Sequence, residues 1–132
     1  MRLSLEEQQA LVNYRRQKAC ETWQETKEII ESKLWYAAAN RMYYACYYMT
    51  TAVLISYGFY PSTHTGVIRL FGMHFVQKGL VSQTLGKFYT QLFELRQRGD
   101  YDDWIVLSEE DILPRVDIVE EYMETLDKLI KY

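Results

Sequence analysis

The stretch 34–60 leaves this chain little choice of fold. It carries one charge, Arg41, and seven of the chain's twelve tyrosines. Between Met42 and Tyr57 nearly every side of a 3.6-residue wheel is apolar or aromatic, the pattern of a helix enclosed by others. Ala37, Ala38, Ala39, Ala45 and Ala52 favour helix and let neighbours approach closely. Gly58 stops the helix and Pro61 keeps it from resuming. A membrane span would need about 20 apolar residues, and four tyrosine hydroxyls at its centre would lack partners in lipid. The expectation is a buried central helix and no membrane association. Asn40 and Arg41 then become informative, an amide and a permanent cation on the helix that reaches water least. A buried guanidinium is costly unless paired. Either a carboxylate meets Arg41 inside the fold, or its end of the helix lines a pocket.

The flanking sequence supplies the sheath. Ser4 and Glu7 form a capping box, and Val12, Ala19, Trp23 and Ile30 then draw one apolar stripe towards Ser32. This length reads as one helix or as two with a bend. Ser32–Lys33 is a short break, which implies an antiparallel neighbour. After the turn at Pro61, Thr63 or Thr65 caps a helix carrying Val67, Ile68, Phe71 and Phe75, which ends near Gly79. A further helix spans about Ser82 to Arg98, with Leu85, Phe88, Leu92 and Leu95 on one face and Gly99 as its stop. Ser108 and Asp111 mark a last helix start, with Pro114 tolerated in the first turn. With 132 residues the chain is sized for a single domain, 1–132, with one core. The predicted architecture is all-α, an up-and-down bundle of four or five helices.

Charge is segregated along the chain. From Ser32 to Gly99 seven Lys or Arg stand against one acid, Glu94; from Asp100 to Asp127 eleven acids stand against Arg115. The middle segment is suited to attract phosphate, unless the two portions pair with each other. Cys20 and Cys46 lack metal-ligand spacing and read as free buried thiols in a reducing compartment. No apolar run precedes the first acids, so the expected location is cytoplasmic. Nucleotide-binding glycine loops, HExxH and serine elbows are absent, and nothing implies a cofactor or a metal.

Two polar clusters remain. Arg96, Arg98, Asp100 and Tyr101 gather guanidinium, carboxylate and phenol within six residues, the elements of a phosphate clamp with a proton donor. Thr63-His64-Thr65-Gly66 places hydroxyls and an imidazole at a helix start, which attracts anions. Each also has a plainer reading, as charges suited to a helix end or as a simple cap.

The blocks Ala39-Asn40-Arg41-Met42-Tyr43-Tyr44-Ala45, Thr63-His64-Thr65-Gly66-Val67-Ile68, His74-Phe75-Val76 and Leu92-Phe93-Glu94-Leu95-Arg96 with Gly99-Asp100-Tyr101 resemble the HEPN (higher eukaryotes and prokaryotes nucleotide-binding) domains. The likeness is to the small stand-alone prokaryotic members and runs from about Ala10 to the C-terminus. It implies a helical bundle that dimerises and a place in a toxin–antitoxin pair with a nucleotidyltransferase partner. It also implies metal-independent endoribonuclease chemistry from an Arg and a His with four to six residues between them and a polar residue directly after the Arg. Here Arg96 is followed by polar Gln97, and Tyr101 stands where His is expected. A phenol of pKa about 10 is a poorer base than imidazole. The resemblance therefore assigns Arg96, Tyr101 and His64 to catalysis on RNA. Asn40, Arg41, His64, Arg96 and Arg98 are the candidates for holding a nucleotide or phosphate, with Arg41 and Asp100 as an internal ion pair. A non-catalytic dimer that binds a nucleotide or docks the nucleotidyltransferase is the alternative.

Overall fold

The computed structural model describes residues 3–131, and among them every regular element is helical. Helix α1 (Leu5–Glu31) is unbroken, and its Ser4–Glu7 capping box closes in both directions. It stops because Lys33 adopts a left-handed backbone, φ 59°, a conformation usually given to glycine. Val12, Ala19 and Trp23 are buried along the expected stripe, while Ile30 is half-buried near its end.

Helix α2 (Trp35–Ser56) is the centre of the bundle and packs against α1 and against every later helix. From Met49 to Ser56 every residue is buried, so no face of this half is left for water. Gly58, at φ 88°, turns the chain, and Phe59 N–H reaches back 2.9 Å to Leu54 O. Among the described residues no helix is long and apolar enough to cross a membrane.

Helix α3 (His64–Phe71) starts at Thr63, whose hydroxyl accepts from Gly66 N–H at 2.9 Å. A side chain at Gly66 would stand 2.9 Å from that same oxygen, so the cap depends on the glycine. The helix runs on as a π-helical turn, Gly72–Val76, that the apolar spacing does not announce. Helix α4 (Gln83–Tyr101) buries Leu85, Phe88, Tyr89, Leu92 and Leu95. It departs from expectation at Gly99, where the helix does not stop. Leu107 packs across Gly99 so closely that a Cβ there would lie 3.0 Å from its methyl. The glycine is needed for space, and the helix continues through it to Tyr101.

The last helix is likewise interrupted where a first turn was expected. Helix α5 (Glu109–Ile112) and helix α6 (Val116–Asp127) are joined by a 3-10 turn, Leu113–Arg115, around Pro114. With α5 and α6 counted as one kinked helix, the described residues form a five-helix bundle. Its core is one cluster that draws on every helix. The acidic helix α6 pairs with α1, through Arg16–Asp127 and Lys27–Glu120, and among the described residues no ion pair joins it to the basic middle segment. Cys46 is fully buried, and burial pushes its thiol pKa far up, whereas Cys20 is exposed, contrary to expectation.

Candidate functional site

Three elements converge at the first half of α2. The cap at Thr63 aims His64 at α2, and α4 brings Arg96 to the same place. The His64 ring lies 4.8 Å from that of Tyr47, 5.6 Å from Tyr43 and 5.9 Å from Tyr44. Tyr43 Oη is 2.7 Å from His64 Nδ1. The Arg96 guanidinium carbon stands 5.2 Å from the Tyr44 ring centre, 5.5 Å from Tyr101 and 6.0 Å from Tyr43. Imidazole and guanidinium therefore share one aromatic floor, supplied by residues whose sequence pattern pointed only to a core.

The continuation of α4 through Gly99 decides the ion pairing. Arg96 and Asp100 become i,i+4 neighbours, with Nε 3.0 Å from Oδ2. Asn40 Nδ2 donates to that same oxygen at 2.9 Å. The expected Arg41–Asp100 pair is thus replaced by Arg96–Asp100, with Asn40 as third member. The Arg96 Nε–H does not point at the carboxylate and is left buried without an acceptor. Charge holds this arginine in place, but part of its donor capacity is unused. Arg96 Nη2 lies 3.5 Å from Tyr101 Oη, a long contact.

Arg41 has another environment. Its guanidinium stacks 5.5 Å from the Tyr44 ring and faces a cavity of about 380 Å³ that Lys18, Glu21 and Glu25 of α1 help to line. It adjoins the cluster through Tyr44 without entering it. Arg98 is exposed, and none of the cluster's hydrogen bonds, ion pairs or ring contacts involves it.

Electrostatics tune the imidazole. Desolvation, and then the positive charge of Arg96, lower the His64 pKa below its ordinary 6.5. His64 is neutral at physiological pH as a result, with a nitrogen able to accept a proton. Burial raises the Tyr43 pKa well above the usual range, so Tyr43 keeps its proton. Its hydroxyl can donate to Nδ1 or accept from it, and Tyr89 Oη lies behind it at 3.5 Å. Among the described residues no three His, Cys, Asp or Glu side chains gather where a metal ion could be held.

The class that fold and site define is a helical bundle with an arginine and a histidine held on one tyrosine floor. The profile of the HEPN domain matches residues 12–129, and the chain belongs to that family. It is 33% identical over 127 residues to a UPF0332 protein of Thermotoga maritima, an alignment covering 96% of each chain. A Methanocaldococcus jannaschii protein named "Putative toxin MJ0605" is 35% identical over 96 residues, 73% of this chain and 69% of that one. A second from the same organism, "Putative toxin MJ0142", is 26% identical over 95 residues.

Proposed function

We propose that this protein is the toxin of a cytoplasmic two-component system and acts as a metal-independent endoribonuclease, with His64 in place of the histidine that Arg96's own helix lacks. One observation carries the reading: α3 and α4 bring an imidazole and a guanidinium onto the same tyrosine floor, both against Tyr43 and Tyr44. Arg96 holds the scissile phosphate and offsets the charge that builds on it. His64 donates Nδ1–H to Tyr43 and takes the ribose 2′-hydroxyl proton on Nε2. The 2′-oxygen bonds to phosphorus, the bond from phosphorus to the 5′-oxygen breaks, and that oxygen leaves with the Tyr101 hydroxyl proton. The product is a 2′,3′-cyclic phosphate, and solvent returns the proton from His64 to Tyr101.

The test is cleavage of transfer and messenger RNA, with a chelator present, by the wild type and by the Arg96→Ala and His64→Ala variants. Loss of cleavage in both variants supports the reading. No cleavage by any of the three, or equal cleavage by all, removes it. The family resemblance adds a homodimer and a nucleotidyltransferase partner to the proposal.

A second reading, a non-catalytic module that docks the nucleotidyltransferase, is favoured by the segment beside Tyr101. Trp104 is 92% exposed, Val106 81% and Tyr101 70%, which together form an uncovered apolar edge. Co-purification with the partner, with RNA left uncut, is the outcome that selects this reading.

A further inference from the structure

From the Arg96–His64 centre the aromatic floor continues along the solvent side of α2. Tyr44 and Tyr48 lie 6.0 Å apart, and Tyr47 sits 5.8 Å from one and 5.7 Å from the other, all three partly exposed. Cations border this row. Arg15 approaches the Tyr48 ring at 5.8 Å and Lys18 at 5.3 Å, while Lys18 also stands 5.6 Å from Tyr14. Beside the row is a cavity of about 170 Å³, lined in part by Leu11, Arg15, Tyr47 and Tyr60, and roomy enough for a flat heterocycle. Charges interleaved with aromatic faces are what a flexible polyanion with planar bases requires. A duplex would hide those faces. Packing alone does not call for this arrangement, because cations pair more strongly with carboxylates than with exposed rings.

We infer that Arg15, Lys18, Tyr44 and Tyr48 form a track that takes an unpaired nucleic-acid strand and leads it to Arg96, with Tyr47 and Arg15 receiving one base in the small cavity. RNA is the strand in question under the function proposed above, and to that extent the inference rests on it. The cations contact phosphates and the tyrosines stack bases, so the track reads single-strandedness and not sequence. Glu21 and Glu25, next to Lys18 in the larger cavity of α1, limit the track on that side.

The experiment measures binding rather than cleavage, so it holds whether or not the protein cuts RNA. A labelled single-stranded RNA of about ten nucleotides, on the scale of such sites and 2′-O-methylated so that the proposed reaction cannot cut it, and its duplex are titrated with the wild type over a range of salt. The single strand should bind more tightly than the duplex. In an Arg15→Gln/Lys18→Gln double variant, the slope of log affinity against log salt should become shallower by about 0.7 for each cation removed. Tyr48→Ala should weaken binding by about tenfold. Lys78→Gln, which removes a charge beyond the far end of α3, should change neither. Circular dichroism establishes that each variant is folded, and if Tyr48→Ala is not, the charge variant decides. Duplex bound as tightly as single strand, no binding at all, or an unchanged slope in the double variant would overturn the track. Loss of cleavage on Arg96→Ala with that slope unchanged would leave the function standing and the track refuted.

Discussion

Two groups of tyrosines meet at Tyr43, and they differ in who satisfies their hydroxyls. In the closed group, Tyr89 and Tyr122 stack at 5.8 Å and 10° in the core, both fully enclosed. Thr50 spends its one hydrogen on Cys46 O at 2.7 Å, so Tyr122 is the donor in the 2.6 Å bond to Thr50. In the open group, Tyr44, Tyr47 and Tyr101 have water on one side and face Arg96 or His64 on the other. Tyr43 stacks 5.7 Å from Tyr89 and hydrogen-bonds His64, so it joins the two. The same residue type thus serves as a satisfied wedge where the bundle is thick and as a floor under Arg96 and His64 where α2 nears the surface. Stability belongs to the first setting, and the proposed chemistry would belong to the second.

The largest expected effect tests that division. Tyr122→Ala removes a large core ring and should cost about 3–5 kcal/mol. Denaturant unfolding would show it, and any fall in activity would follow from unfolding alone. Arg96→Ala in the open group should cost less, about 1.5–3 kcal/mol, since the guanidinium is mostly enclosed but its partner Asp100 meets water. Cleavage should nevertheless fall by about 100- to 1000-fold, the usual consequence of losing a group that offsets transition-state charge. If Arg96→Ala unfolded the protein as Tyr122→Ala does, the two groups would not be distinct.

Smaller changes sharpen the contrast. Tyr122→Phe keeps the ring and deletes one buried donor, and about 1 kcal/mol of stability should go with it. Tyr43→Phe should cost a similar amount, because it leaves the buried Tyr89 hydroxyl without its acceptor, but it should also displace the pH–rate profile through loss of the partner that orients His64. The closed group should also fail in alkali. Burial raises the pKa values of Tyr89 and Tyr122 well above the ordinary 10.0. Their stabilisation is complete below pH 10 and is lost above it, as the unfolded chain ionises where the folded one resists. A cooperative alkaline transition should therefore appear, and Tyr122→Phe should move it upward.

How much of this was legible in the chain follows from the same division. The enclosed helix, its stop at Gly58 and the caps at Ser4, Thr63 and Ser108 rest on local chemistry, and they stand where the residues put them. Of the residues singled out, His64, Arg96, Asp100, Tyr101 and Asn40 come together, whereas Arg41 faces another cavity and Arg98 lies exposed outside the cluster. The pairing of Arg96 with Asp100 was not legible, because it turns on Gly99. Read locally, a glycine after Arg98 ends a helix. Leu107, packed across it from eight residues on, makes it a spacer, and only then do Arg96 and Asp100 align. The tyrosine floor escaped notice for a related reason. A tyrosine on an apolar helix looks like core until the neighbours that uncover it are in place. Nothing in the local spacing announces the π-helical turn after α3, which the apolar pattern would fit equally as ordinary helix.

The smallest effect separates the two groups at the acid end. His64 has its folded-state pKa below 6.5, through desolvation first and the Arg96 charge second, so the unfolded chain binds its proton more readily. Above pH 6.5 neither state binds it, and stability is independent of this group. As pH falls below 6.5 the unfolded state gains protons that the folded state refuses, and stability declines until the folded pKa is passed. The loss is modest because the ring is only half-buried. Tyr89 and Tyr122 stay protonated throughout and contribute nothing to it. A His64→Gln variant should abolish this slope and leave the alkaline transition of the closed group unmoved, and urea titrations at several pH values would read both. If His64→Gln kept the acid slope, another group would be its source. If it shifted the alkaline limb instead, the hydroxyl chain through Tyr43 would couple the two groups, and they would have to be treated as one.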